Sequence, residues 1–188
     1  MKIFRLKEDL KSYLHTQNDE KIVSFVPTMG ALHNGHMTLI SKAKQNSDLV
    51  VCSIFVNPTQ FNNSEDLEKY PRTIDEDLAA LNDLNCDIVY LPEVSDLYYE
   101  NEKAKQFHFN GLDKFMEGRG RKGHFNGVAT VVEKLFRIVN PNIAYFGQKD
   151  IQQLQIIKHI TKQLDLDIEI IGVPTKREES GLAMSSRN

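Results

Sequence analysis

Two histidines three residues apart, His33 and His36, close the run Pro27-Thr28-Met29-Gly30-Ala31-Leu32-His33-Asn34-Gly35-His36. The run lies between the apolar segment Ile22 to Val26 and a helix-like stretch from Met37 to Asn46. A strand-to-helix corner leaves the first N–H groups of the helix without intrahelical partners. The helix dipole adds positive potential, so the place suits an anion, above all a phosphate. Gly30 and Gly35 let the backbone bend and approach a ligand. The imidazoles add hydrogen bonds, or positive charge if protonated. Two other readings stand beside this one: histidines that merely cap the helix, or two ligands of a metal that has no third ligand nearby.

Further groups with chemical potential lie far away in sequence. Lys149-Asp150 pairs an ammonium, suited to phosphate charge, with a carboxylate suited to ribose hydroxyls; its alternative is a turn with Asp150 as a helix N-cap. Gln60 and Gln153 each carry donor and acceptor in one amide, which suits a small substrate bearing hydroxyl and carboxylate. Arg119-Gly120-Arg121-Lys122-Gly123-His124 is a basic, glycine-rich turn, either solvated or an anion clamp. In the segment Gly181 to Asn188, Ser185 and Ser186 offer donors and Arg187 a charge that would close over a polyphosphate; a frayed terminus is the other reading. No G-x-G-x-x-G and no Walker loop is present.

These groups need elements to hold them. The 188 residues, 40% apolar and 26% charged with net charge −3, describe one globular domain able to bury roughly 70% of its unfolded surface. No long basic run marks a nucleic-acid surface. No apolar run reaches bilayer length, and the charged start Met1 to Asp9 lacks a signal core, so a cytoplasmic protein without membrane contact is expected. Cys52 and Cys86 have no metal-ligand spacing and read as buried thiols.

Leu6, Leu10 and Leu14 predict an amphipathic helix. Strands are predicted at Ile22–Val26, Leu49–Val56, Ile88–Leu91, Ile143–Phe146 and Ile168–Val173. Helices are predicted at Ile74–Leu84, Val128–Val139 and Ile151–Gln163. Thr73 and Glu76 have the spacing of a capping box. Strands alternating with helices give an α/β fold, a Rossmann-like, mostly parallel sheet with helices on both faces. Ligands then bind beyond the carboxyl ends of the strands, where the histidine corner, Asn57 to Phe61, Gly147 to Asp150 and Thr175 to Arg177 all fall.

The corner resembles the His-x-Gly-His motif of the nucleotidyltransferase superfamily, related to the HIGH motif of class I aminoacyl-tRNA synthetases. Met184-Ser185-Ser186-Arg187 is similar to the KMSKS-type loop of that group. With Phe55-Val56-Asn57-Pro58-Thr59-Gln60-Phe61, Tyr70-Pro71-Arg72-Thr73, Gly123-His124-Phe125 and Phe146-Gly147-Gln148-Lys149-Asp150-Ile151-Gln152-Gln153, the chain resembles the pantoate–β-alanine ligase (pantothenate synthetase) family along its whole length.

The resemblance implies adenylation of pantoate by ATP with Mg²⁺, then displacement of AMP by β-alanine. It implies ATP contacts from Met29, Gly30, Ala31, Leu32, His33, Asn34, Gly35, His36, Gly147, Gln148, Lys149, Asp150, Lys176, Met184, Ser185, Ser186 and Arg187. Catalytic roles would fall to His33, His36, as proton donor, and Lys149. Pantoate would contact Gln60 and Gln153, with Gln60 also bordering β-alanine and Arg121 reaching the same cleft. Lys176 would read adenine through its backbone, and Asp77 is a weak candidate for a magnesium ligand. Gln148 stands where many members carry Glu, and Lys122 where many carry Pro. Members continue into a smaller closing domain beyond the position of Asn188. Residues 1–188 are therefore expected to be the ATP- and pantoate-binding N-terminal domain, homodimeric as the family typically is, and weakly active alone. A nucleotidyltransferase for another small substrate, and a non-catalytic nucleotide-binding or dimerising domain, are the alternatives.

Overall fold

A computed structural model describes residues 1–17 and 20–188. In chain order the strands are β1 (Lys2–Phe4), β2 (Val23–Thr28), β3 (Leu49–Ile54), β4 (Ile88–Tyr90), β5 (Ile143–Gly147) and β6 (Glu169–Val173). The helices are α1 (Lys7–His15), α2 (Asn34–Asn46), α3 (Ser64–Lys69), α4 (Ile74–Asp83), α5 (Val94–Leu97), α6 (Met116–Gly120), α7 (His124–Val139) and α8 (Ile151–Gln163). All strand pairs are parallel, in the order β1-β4-β3-β2-β5-β6. This is the α/β sheet that the alternating pattern predicts. A parallel sheet needs apolar residues on both faces. Val50, Val51 and Cys52 of β3 accordingly have no exposure at all.

Two cores sandwich the sheet. On one face Phe25, Val51 and Ala144 pack under α1, α7 and α8 through Leu10, Phe136, Leu154 and Ile157. On the other face Val26, Cys52 and Tyr145 pack under α2 and α4 through Ile40, Ala43 and Leu81. Both cysteines are buried and free, as expected. Among the described residues no helix is long and apolar enough to cross a membrane.

Several boundaries differ from expectation for identifiable reasons. β2 runs on through Pro27 although it is a central strand. Its pairing with β5 is confined to Ser24 and Phe25, so the missing N–H of Pro27 falls where that ladder has ended. α2 starts three residues earlier than periodicity suggests, because its cap is a histidine. Thr73 stands at the N-cap position of α4 without capping it; its hydroxyl donates instead to Asp77 Oδ1 at 3.3 Å. α7 begins at His124, four residues before the predicted Val128, which brings Gly123-His124-Phe125 onto its first turn. The edge strand β1 and the short helices α3, α5 and α6 carry no periodicity long enough to be read.

Strands β2, β3, β4 and β1 step to one side of the sheet and β5 and β6 to the other, so the order reverses between β2 and β5. Open α/β sheets bind ligands in the crevice at such a reversal. Here it is flanked by the histidine corner after β2 and by Gly147 to Asp150 after β5. A third loop is placed by α7. A Cβ on Gly127 would lie 2.3 Å from the Thr59 carbonyl oxygen and 2.7 Å from Gln60 Cα, both backbone atoms. Gly127→Ala is therefore predicted to lower unfolding free energy by about 1–3 kcal/mol and to displace the Pro58–Gln60 turn; urea denaturation with an amide spectrum of that turn checks both.

Candidate active site

The helix cap sets the geometry of the corner. His33, extended at φ −132°, is the N-cap of α2, and its Nδ1 accepts from Gly35 N–H at 3.1 Å. His36 reaches back so that its Nδ1 accepts from His33 N–H at 3.3 Å. The two rings stand 4.1 Å apart between centroids. Gly35 is required for this: a Cβ there would lie 2.7 Å from His33 Cε1 and 2.9 Å from Nδ1. In each ring Nδ1 is an acceptor, so the single proton of the neutral imidazole is on Nε2. The rings therefore offer N–H groups and no positive charge. Burial lowers both pKa values; His36 falls to about 3, with His33 and the Lys149 ammonium adding to the effect, and for His33 Lys149 adds while Glu178 opposes.

This corrects two expectations. The backbone donors of the corner are largely engaged within the protein rather than free for an anion. Gly30 N–H goes to Thr28 Oγ1, Ala31 and Leu32 N–H to Asp77, and Gly35 and His33 N–H to the imidazoles. Capping does not exclude ligand contact either, because the bonds that cap the helix use only Nδ1 and leave both Nε2–H groups unbonded among the described residues.

Asp77 has a different task from the metal ligation considered for it. It is 2% exposed, and its two oxygens accept from Ala31 N–H at 2.9 Å and Leu32 N–H at 2.7 Å. Those bonds hold Gly30 and Ala31 in left-handed backbone at φ 82° and 48°, which is costly for alanine. Both carboxylate oxygens thus face amides. Among the described residues no group of three or more His, Cys, Asp or Glu is placed to hold a metal ion. The residues present do not build a magnesium cage.

The other predicted residues divide by where the chain places them. Lys149 and Asp150 follow β5 on a 3-10 turn, their side chains 3.4 Å apart and 40% and 61% exposed. Asp150 occupies the N-cap position of α8 without a side-chain cap, so the capping reading fails. Gly147 has open space around it, whereas Gln148 turns its amide away to the Gly172 carbonyl on β6. After β6 the chain returns to the corner: Ser186 Oγ donates to the Ala31 carbonyl at 2.9 Å, and Met184 approaches Gly35. Asn34, Lys176 and Met184 line one open groove of about 710 Å³. Arg187 is turned aside to Asp66 at 3.0 Å and the Tyr70 ring, and Ser185 accepts from Arg187 N–H.

On the other side of Met29 is Gln60, 8% exposed. Its Nε2 lies 3.2 Å from Met29 Sδ, and its Oε1 accepts from Asn57 Nδ2 at 3.0 Å. Asn57, 1% exposed, also donates to the Gly127 carbonyl and accepts from Tyr98 OH. Gln153 is half-buried on the first turn of α8. Arg121 follows α6 and donates to Glu117 and to the His124 ring. Sequence reasoning missed Asn57 and His124 as supports; the Asn-Pro step and the buried Gly-His-Phe run were their only signals.

Against this geometry the comparisons are specific. The family model described as pantoate-beta-alanine ligase matches residues 2–188. The chain belongs to the pantoate–β-alanine ligase family. Its enzyme class is therefore that of an ATP-dependent ligase. It is 50% identical over 190 residues to the pantothenate synthetase of Flavobacterium psychrophilum, covering 100% of this chain and 67% of that protein. It is 51% identical to that of Vibrio vulnificus, covering 99% of this chain and 61% of the other. The chain thus spans about two thirds of the length of these ligase relatives. A solved Francisella tularensis pantoate-beta-alanine ligase, complexed with beta-gamma ATP and beta-alanine, superposes with TM-score 0.96 at 42% identity, covering 100% of this chain and 72% of that one. A tyrosyl-tRNA synthetase from Archaeoglobus fulgidus, at TM-score 0.53 and 14% identity, shares the fold alone.

The lowered histidine pKa has a consequence for stability. The unfolded chain takes a proton on His36 near pH 6.5 while the folded chain does not until about pH 3. Stability from this group is complete above pH 6.5 and falls as pH drops, by up to about 1.4 kcal/mol per pH unit. His36→Asn retains an acceptor for His33 N–H and removes the titration. Urea unfolding between pH 6.5 and 4 is expected to show a shallower loss of stability in the variant; parallel curves would contradict the neutral assignment.

Proposed function

We propose that the chain catalyses ATP-dependent condensation of (R)-pantoate with β-alanine through a pantoyl adenylate, releasing pyrophosphate and AMP. The observation that carries the reading is the meeting, at the sheet's reversal point, of two neutral imidazole N–H donors with the Lys149 ammonium. That set suits a phosphorus centre that gains negative charge as pantoate's carboxylate attacks and pyrophosphate leaves. Donors fixed before the reaction stabilise such charge without reorganising. His36 acts as a hydrogen-bond donor through Nε2 rather than as an imidazolium acid. His33 does the same one turn away, and Lys149 supplies the full charge.

The remaining contacts follow from position. Met29 to His36 border ATP. Gly147 and Asp150 are placed for ribose, the Lys176 backbone for adenine, and Met184 to Arg187 for the triphosphate, with Ser186 already bound to the corner and Arg187 released from Asp66 when it closes. Gln60, Gln153 and Arg121 take the hydroxyl and carboxylate of pantoate, and β-alanine enters beside Gln60. Magnesium that accompanies ATP would screen phosphate charge and, with Asp77 engaged by amides, would be ligated by the nucleotide. The protein works in the cytoplasm as a homodimer. The solved relative's complex with ATP and β-alanine supports the same substrates here.

Residues 1–188 are on this reading the ATP- and pantoate-binding domain. Lys149 and Asp150 stand open to water, which competes with the amine for a reactive adenylate. The 188-residue polypeptide is predicted to turn over far more slowly than the full-length Flavobacterium relative, and equal rates would refute this. For the chemistry itself, pantoate-dependent exchange of labelled pyrophosphate into ATP reports adenylation. Lys149→Ala is expected to reduce it about 10²–10³-fold. Exchange that persists in the variant, or that needs no pantoate, would reject the assignment.

A further inference from the structure

The Gly123-His124-Phe125 run has no part in the chemistry above, yet His124 is 6% exposed and engaged on both ring nitrogens. Arg121 Nη1 lies 3.2 Å from Nε2, and Nδ1 lies 2.8 Å from the backbone carbonyl oxygen of Gln60. A guanidinium only donates and a carbonyl only accepts, so the ring is neutral, with its proton on Nδ1. Burial lowers its pKa, the Gln60 carbonyl opposes and the Arg121 charge adds to the lowering.

His124 is thus the only bridge that the hydrogen bonds among the described residues show between Arg121, at the end of α6, and Gln60, after β3. The other side-chain bond of Arg121 goes to the carboxylate of Glu117, whose side chain is 62% exposed. Such a pair holds a side chain weakly. The side chain of Gln60 is oriented by Asn57 and Met29, but its backbone is tied to α7 by His124 and by the close passage of Gly127. We propose that His124 is a positioning residue that holds Gln60 and Arg121 in register, as one receptor for the hydroxyl and carboxylate of the acid substrate. This rests on the reading of Gln60 as a pantoate contact. Without the ring, the guanidinium swings towards Glu117 and solvent, and the Gln60 carbonyl loses its donor.

Calorimetry on the chain with (R)-pantoate and, separately, ATP tests this. His124→Ala is expected to weaken pantoate binding about tenfold while ATP affinity stays within twofold. His124→Asn keeps a donor near the Nδ1 position and loses the acceptor for Arg121, so it is expected to fall between the parent and the alanine variant. Unchanged pantoate affinity in His124→Ala overturns the proposal. So does a parallel loss of ATP and pantoate affinity with a lowered Tm and no recovery in His124→Asn, which marks a merely structural role. Gln60→Ala separates the two failures: pantoate binding that survives it refutes the site reading, whereas binding lost there but kept in His124→Ala refutes only the positioning role.

Discussion

The paired capping bonds of the His33 and His36 rings are the constraint on which the site depends. His33 Nδ1 accepts from Gly35 N–H in the first turn of α2 and His36 Nδ1 accepts from the N–H of the cap residue His33, and this one arrangement caps the helix, fixes the tautomer and leaves each Nε2–H unbonded among the described residues. A carboxylate cap would have satisfied the same amides, but it would have presented negative charge where the proposed function requires a phosphate. A protonated histidine would have lost its acceptor at Nδ1. Burial and the Lys149 ammonium keep the rings neutral, so the full charge beside the corner comes from Lys149 and the imidazoles contribute direction.

Everything around the corner preserves that orientation. Asp77 takes the amides of Ala31 and Leu32 and stabilises a left-handed pair that would otherwise relax. Ser186 ties the chain beyond β6 to the Ala31 carbonyl. The sheet supplies the larger frame, because its order reverses between β2 and β5 and so brings the corner and Lys149 to a shared crevice. Asn57 and α7 fix a second set of groups on the far side of Met29. On the proposed function the site has two halves, one of donors suited to phosphate and one of amides and a guanidinium suited to a small acid.

What the sequence made legible follows from the range of each interaction. Continuous apolar runs such as Leu49 to Cys52 have few destinations other than a parallel sheet, and α8 was readable to its ends because thirteen residues carry a clean period. The corner was visible because its residues are adjacent. The hold of Asp77 on the corner was not, since its partners lie 45 and 46 residues away and a carboxylate on a first turn usually reports only the helix dipole. Its claim on Thr73 also explains why the expected capping box is missing. β1 was invisible for a related reason: three residues carry no period, and only pairing with β4 makes them a strand. The neutral state of the histidines depends on burial and on Lys149, neither of which the local sequence contains.

The most direct measurement is the ¹⁵N spectrum of the imidazole nitrogens of His33 and His36, assigned with the single His→Asn variants and followed from pH 8 to pH 5 without and with ATP. Rings capped through Nδ1 will show protonated Nε2 and unprotonated Nδ1 at neutral pH, no titration of His36 in that range, and shifts at Nε2 rather than Nδ1 when ATP is added. A proton on Nδ1 of either ring, or titration of His36 near pH 6.5, would contradict this.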